Sequence, residues 1–228
     1  SEMMNWPGVL FGDAEVKAKI AAAKALGKPV DGHAPGLKGE QAATYAAAGI
    51  STDHECFTLE EGLGKVKLGM KVLIREGSAA RNFEALWTLL MEYPASCMLC
   101  SDDKHPDDLV AGHIDRLVAR AVAKGVPLWN VLAAACVNPV KHYGLRVGLL
   151  RSGDPADFIE VEDLTNFRVL RTWIDGRPVA EEGLTLFDTA PAAIVNNFRC
   201  SPKTAADFRV ASKPGKIRAI VAIDGELI

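Results

Sequence analysis

A chain of 228 residues is long enough to bury a sizeable core without disulfides or metals as staples. With 49% hydrophobic and 24% charged residues and a formal net charge of -3, it has the composition of a folded globular protein and no electrostatic reason to seek nucleic acid or an anionic membrane surface; a polybasic binding module is excluded. No apolar run approaches the roughly 18 residues that span a bilayer, and Ser1-Glu2-Met3-Met4-Asn5-Trp6 lacks the basic-then-apolar layout of a signal peptide, so a soluble cytoplasmic protein is expected.

From Asp13 to Gly125 amphipathic stretches alternate with short apolar runs that end in polar or glycine residues. Asp13 caps an Ala-rich helix that stops at Gly27, and Pro29-Val30-Asp31-Gly32-His33 reads as a strand. A helix over about Lys38 to Ala48 leads to Gly49-Ile50-Ser51-Thr52-Asp53-His54-Glu55. The N-cap signature Thr58-x-x-Glu61 opens a helix to Gly69, followed by the apolar run Met70 to Ile74 and Arg75-Glu76-Gly77-Ser78. A helix from about Asn82 to Glu92 precedes a strand Ser96 to Cys100 that ends in Ser101-Asp102-Asp103; helices over about Pro106 to Lys124 and Leu128 to Val137 close this half. Repeated units of this kind imply a parallel sheet, either doubly wound or part of a (β/α)8 barrel.

After Gly144 the pattern becomes short β runs between turns: Gly148 to Leu150, Asp157 to Val161, Phe167 to Ile174, and Arg177 to Ala180 after Asp175-Gly176. From Thr185 the chain reads as loop until a last strand, Lys216 to Ile223, and a turn at Asp224-Gly225. The five cysteines are odd in number and scattered, which suits reduced core thiols. If Ser96 to Cys100 is a strand, Cys97 and Cys100, three apart, point to opposite faces and cannot chelate one metal, which favours core thiols over a redox or zinc role for this pair.

Polar groups at the C-terminal ends of parallel strands surround one pocket. His33, His54 and Asp102 with Asp103 occupy such ends, and Glu2 and Asn5 resemble the tail of an earlier strand. One carboxylate, two imidazoles and a further carboxylate form a mixed nitrogen and oxygen donor set suited to zinc, manganese or iron. Glu55, Arg75, Glu76 and Ser78 also lie at strand ends, where a buried Arg–Glu pair competes with substrate contact. His105, beside Pro106-Asp107-Asp108, suits either ligand contact or helix capping. His113 and His142 fall in helical stretches and read as structural or exposed, and the basic residues, spread along helix faces, read as a solvated surface.

Glu2 to Val9, Asp31-Gly32-His33-Ala34-Pro35-Gly36, Ser51-Thr52-Asp53-His54-Glu55, Ile74-Arg75-Glu76-Gly77-Ser78 and Ser101 to Asp108 together resemble the bacterial adenine deaminases of the amidohydrolase superfamily. Gly153-Asp154-Pro155-Ala156-Asp157-Phe158 is similar to the turn of that superfamily's small β-domain, and Asn196-Asn197-Phe198-Arg199-Cys200 to the entry of the deaminases' C-terminal domain. The resemblance implies an α/β protein: residues 1–144 as strands four to eight of a (β/α)8 barrel, 145–190 as part of a small β-sandwich domain, and 191–228 as the start of the third domain. It implies two divalent metal ions, manganese or iron rather than zinc, and hydrolysis of adenine to hypoxanthine and ammonia. Carried over by motif, Glu2 bridges the metals and counts with Asp102 among the catalytic residues, His33 and His54 are ligands, and Asp102 counts both as a ligand and as the general base beside the metal. Glu55, Arg75, Ser78 and His105 become candidate contacts for adenine.

The family's His-x-His pair has no counterpart in these residues, nor do strands one to three. The expectation is therefore the middle portion of a longer enzyme, inactive by itself, homo-oligomeric or associated with the missing segments. An amidohydrolase acting on a cyclic amide or another aminopurine is the alternative, as is a catalytically inactive scaffold. The zinc deaminases of the other fold are disfavoured because their His-x-Glu and Pro-Cys-x-x-Cys signatures are absent.

Overall fold

The computed structural model describes residues 2–188, 190–191, 193–211 and 214–221. Its first part alternates strand and helix: β1 (Glu2–Met3), α1 (Trp6–Phe11), α2 (Ala14–Ala25), β2 (Asp31–Gly32), α3 (Gly39–Ala47), β3 (Thr52–Asp53), α4 (Leu59–Lys67), β4 (Lys71–Arg75), α5 (Phe83–Leu86), α6 (Leu89–Glu92) and β5 (Cys97–Cys100). Then come α7 (Pro106–Ala111), α8 (Ile114–Ala123), α9 (Leu128–Leu132), a π-helical stretch at Ala133–Val137 and α10 (Asn138–Tyr143). The Asp13 carboxylate accepts from Val16 N–H at 2.9 Å and the Thr58 hydroxyl from Glu61 N–H at 3.2 Å, so α2 and α4 start at the capping residues that the sequence marks.

Parallel pairing joins β1 to β2, with Glu2 opposite Asp31, and joins β3, β4 and β5 in that order. A parallel bridge between Val30 and Ile50, with Ser51 N–H donating to Val30 at 2.9 Å, links the two sheets, so the five strands stand side by side in chain order. Val72 and Ile74 of β4 pack with Phe83, Leu86, Leu89, Leu117 and Val118 beneath the helices, whereas Leu73 and Arg75 project from the opposite face. A second apolar cluster under α1, α2 and α3 gathers Val9, Val16, Ile20, Val30, Tyr45 and Ile50. The sheet is thus covered on one side by helices, as parallel strands require, and carries its polar ends on the other.

The small β unit is one antiparallel sheet of β6 (Phe158–Val161), β7 (Val169–Ile174), β8 (Arg177–Glu181) and β9 (Leu184–Thr185), in chain order. Asp175 (φ 48°) and Gly176 (φ 73°) form its tight turn. Phe167 is buried in the helix-side core with Val161 packed against it, which seats this sheet on the α/β part.

Several expected boundaries differ. The long helix over Pro106 to Lys124 is broken at Gly112, whose φ of 154° and ψ of 162° no helix accommodates, giving α7 and α8. The helix over Asn82 to Glu92 is two short pieces, α5 and α6. Gly148 to Leu150 is not a strand, and β9 and α1 were not expected. Among the described residues the β-domain segment holds a single sheet, without the second layer of a sandwich. Residues 216–221 form no strand; Ile223 and the Asp224-Gly225 turn lie outside the described residues. No helix among the described residues is long and apolar enough to cross a membrane.

Candidate metal centre

Because the five strands run parallel, Glu2 on the two-residue β1 meets the groups that the C-terminal ends of the others deliver to one place: His33 after β2, His54 after β3, Arg75 at the end of β4 and Asp102 after β5. His33 Nδ1 and His54 Nε2 face each other at 3.2 Å, and Glu2 Oε2 lies 3.1 Å from His54 Nε2 and 3.9 Å from His33 Nδ1. Two imidazole nitrogens and a carboxylate oxygen converge on one point. Ligands about 2.1 Å from a single divalent ion stand about 3.0–3.5 Å apart; two of the three separations fall in that range and the third, at 3.9 Å, is wider, so the trio is compatible with such an ion after a small side-chain adjustment. A second trio, His54, Glu55 and Asp102, shares His54. Beside them opens a cavity of about 440 Å³ lined by Glu2, Asp31, His54, Leu73, Cys100, Asp102 and Tyr143, a size typical of small-molecule sites.

Asp102 (φ 46°) adopts the left-handed conformation that asparagine and aspartate tolerate best, and its Oδ1 lies 3.9 Å from His54 Nε2. Its other oxygen is 2.8 Å from Arg75 Nη1, while Arg75 Nη2 donates to Asp103 Oδ1 at 2.9 Å and to the Ala79 carbonyl at 3.1 Å. Arg75 Nη1 also pairs closely with Glu55 Oε1. The guanidinium is therefore saturated on both terminal nitrogens by protein groups, and the buried Arg–Glu pair is present. Ser78 donates to Asp108 and accepts from His105 N–H at 2.8 Å. These bonds tie one strand-end loop to the start of α7; the His105 ring is exposed. Of the two helical-stretch histidines, His113 is exposed between α7 and α8, and His142 Nε2 lies 3.3 Å from the Ser51 hydroxyl.

Three supporting residues were not anticipated. The Tyr45 hydroxyl donates to Met3 O at 2.6 Å and accepts from His33 N–H at 3.1 Å, joining the strand of Glu2 to that of His33. Asn82 donates to His54 O at 3.0 Å and accepts from Arg75 N–H at 2.7 Å. Lys65 corrects the expectation that basic residues line solvated helix faces: it is 1% exposed and pairs with Asp53 and Glu61, each at 2.7 Å. Burial alone would lower its pKa, but neighbouring Cys56 together with the Asp53 and Glu61 carboxylates outweighs it and holds the ammonium above the ordinary lysine value. Its spacing of four from Glu61 is the pattern of an exposed helical pair, which hid it. The one sequence signal was Gly62 on the same face, where an added Cβ would come within 3.0 Å of Leu86 and Leu89.

The sequence profile of the amidohydrolase family matches residues 1–179. The chain belongs to that family. Members use divalent metal ions, and this chain's donor trio is compatible with one. The chain is 54% identical over 227 residues to the adenine deaminase of Salinibacter ruber (strain DSM 13855 / M31) and 56% identical over 228 residues to that of Sulfurovum sp. (strain NBC37-1). In each case the match takes in all of this chain but only 42% and 43% of the relative, so the chain spans under half the length of the curated relatives it matches. Among solved amidohydrolase-like folds, the β-aspartyl dipeptidase of Fervidobacterium islandicum AW-1 superposes with a TM-score of 0.59 at 19% identity, over 79% of this chain and 54% of that one. The N-acetyl-D-glucosamine-6-phosphate deacetylase of Mycobacterium smegmatis gives 0.56 at 17% identity, over 73% and 52%. At such identities the likeness concerns the fold alone.

Proposed function

We propose that the protein is a cytoplasmic adenine deaminase that hydrolyses adenine to hypoxanthine and ammonia. The observation that carries this reading is the convergence of Glu2, His33 and His54 at 3.1–3.9 Å beside Asp102, in a chain 46–56% identical throughout to adenine deaminases. In this reading β1 to β5 are strands four to eight of a (β/α)8 barrel, residues 145–190 belong to its small β-domain, and 191–228 begin a third domain; the rest of the barrel comes from further chain or an associated copy.

Glu2, His33 and His54 would hold a divalent metal, manganese or iron before zinc. When bound, it supplies a Lewis acid that brings the pKa of water toward neutrality, which attack on the C6–amino carbon of adenine needs. Asp102 is the base: Arg75 fixes one of its oxygens and leaves the other directed at His54, where it can take the proton of the attacking water and hand it to the departing ammonia. Glu55 and Arg75 flank the same point; with Arg75 saturated, Glu55 is the better candidate to touch the purine. Incubation of the intact protein with manganese(II) or iron(II) and adenine is expected to release one ammonia per hypoxanthine. No ammonia from adenine, with release from another aminopurine or ring opening of a cyclic amide, would replace this reading by the second substrate class.

A further inference from the structure

The buried lysine of α4 has a wider set of contacts than an ion pair needs. Lys65 Nζ donates to Asp53 Oδ2 and Glu61 Oε1, each at 2.7 Å, and to Ala34 O at 2.8 Å. Both carboxylates are engaged again. Asp53 Oδ1 accepts from Glu55 N–H at 2.8 Å, Glu61 Oε1 from Gly36 N–H at 2.9 Å, and Glu61 Oε2 from Phe57 N–H at 3.1 Å. One ammonium thereby fastens the loop after β2, at residues 34–36, and the loop after β3, at residues 53–57, to a single helix. His33 directly precedes the first loop, and His54 lies inside the second.

Burying three ions contributes little net stability, because desolvation offsets most of the attraction. What such a cluster supplies is direction: of its six bonds of fixed geometry, four run from the two loops to α4. We propose that Lys65, with Asp53 and Glu61, is a positioning residue that sets the separation of the His33 and His54 imidazoles for a divalent cation, an inference that rests on the metal-centre reading above.

The test uses the intact protein, stripped of metal, with manganese(II) binding followed by the electron paramagnetic resonance signal of the free ion. Changing Lys65→Met, Asp53→Asn and Glu61→Gln together removes the charges while leaving groups of similar shape, so no carboxylate is left buried without a partner. In this variant, folded by circular dichroism, manganese(II) affinity is expected to fall by about 10–100-fold, the range found when groups that orient metal ligands are lost. A folded variant with undiminished affinity overturns the clamp. His33→Ala, measured alongside, separates the two claims: if it also binds normally, the metal centre itself is wrong, whereas normal binding by the triple variant alone removes only the clamp. Should the triple variant fail to fold, hydrogen exchange of the unaltered protein decides. The amides of Gly36, Glu55 and Phe57 should exchange as slowly as those of Leu73 and Ile74 in β4; exchange at open-loop rates overturns the proposal.

Discussion

Tyr45 shows how one hydroxyl can govern two ligands it never touches. It is fully buried, and that burial raises its phenol above the ordinary tyrosine value, so the neutral donor persists through any working pH. Its bonds to Met3 O and His33 N–H span β1 and β2 at the residues next to Glu2 and at His33 itself. Tyr45→Phe strands a buried carbonyl and amide, which costs about 1–3 kcal/mol in urea denaturation. It should also weaken manganese(II) binding, because the Glu2–His33 spacing loses its tie. Asp102 calls for the opposite pattern. Asp102→Asn keeps a side chain of the same shape beside Arg75, so metal content should hold while adenine turnover drops by about 10²–10⁴-fold. His33→Ala should lower metal and turnover together. Equal loss of metal in both variants, measured by atomic absorption, would leave Asp102 a ligand only and end its assignment as base.

β2 is only two residues long, and Gly32 is what lets it fit. A Cβ there would lie 2.2 Å from Thr52 O and 2.8 Å from Ile50 Cγ2, and the backbone oxygen cannot move without parting β2 from β3. Gly32→Ala is therefore expected to destabilise by about 1–3 kcal/mol, with a melting temperature lower by about 2–4 °C for each. It should also displace His33 and reduce manganese(II) affinity; full affinity would show that the strand end adapts freely. The parts of this architecture that could be read from the sequence are those with local causes. Asp13 and Thr58 announce helices through capping chemistry, the run Met70 to Ile74 announces a buried strand, and His33, His54 and Asp102 stand out as polar residues at the ends of apolar runs. The break at Gly112 rests on one glycine's backbone conformation and the split of α5 from α6 on a local turn at residues 87–88, neither of which periodicity encodes. Tyr45 and Lys65 were hidden for a related reason: Tyr45 bonds to Met3, 42 residues away, and Lys65 to Ala34, 31 residues away, and alone each looks like an ordinary helix residue.

Across the molecule, the apolar interior also holds protons. Cys56 and Cys97 are fully buried, and burial pushes Cys97 up to about 12 and Cys56 well above the ordinary thiol value. An unfolded chain ionises these thiols near pH 8.5–9, whereas the folded chain keeps them neutral. The native state thus binds more protons than the unfolded state between roughly pH 9 and 12, so the stability they contribute is complete below pH 8.5 and is lost as pH rises through that window. Each thiol removes about 1.4 kcal/mol per pH unit. The urea midpoint is expected to be flat from pH 7 to 8 and to fall steadily from pH 9 to 10.5. Cys97→Ala, less stable at pH 7 because of the cavity it leaves, should lose stability less steeply over the same range. Thiol titration gives an independent reading at pH 8: exposed Cys200 should react at once with an aromatic disulfide reagent, while Cys56 and Cys97 react only as the chain unfolds. A urea midpoint unchanged between pH 8 and 10.5, with Cys97 reacting in the native protein, would mean that the β5 edge of the core is open to solvent.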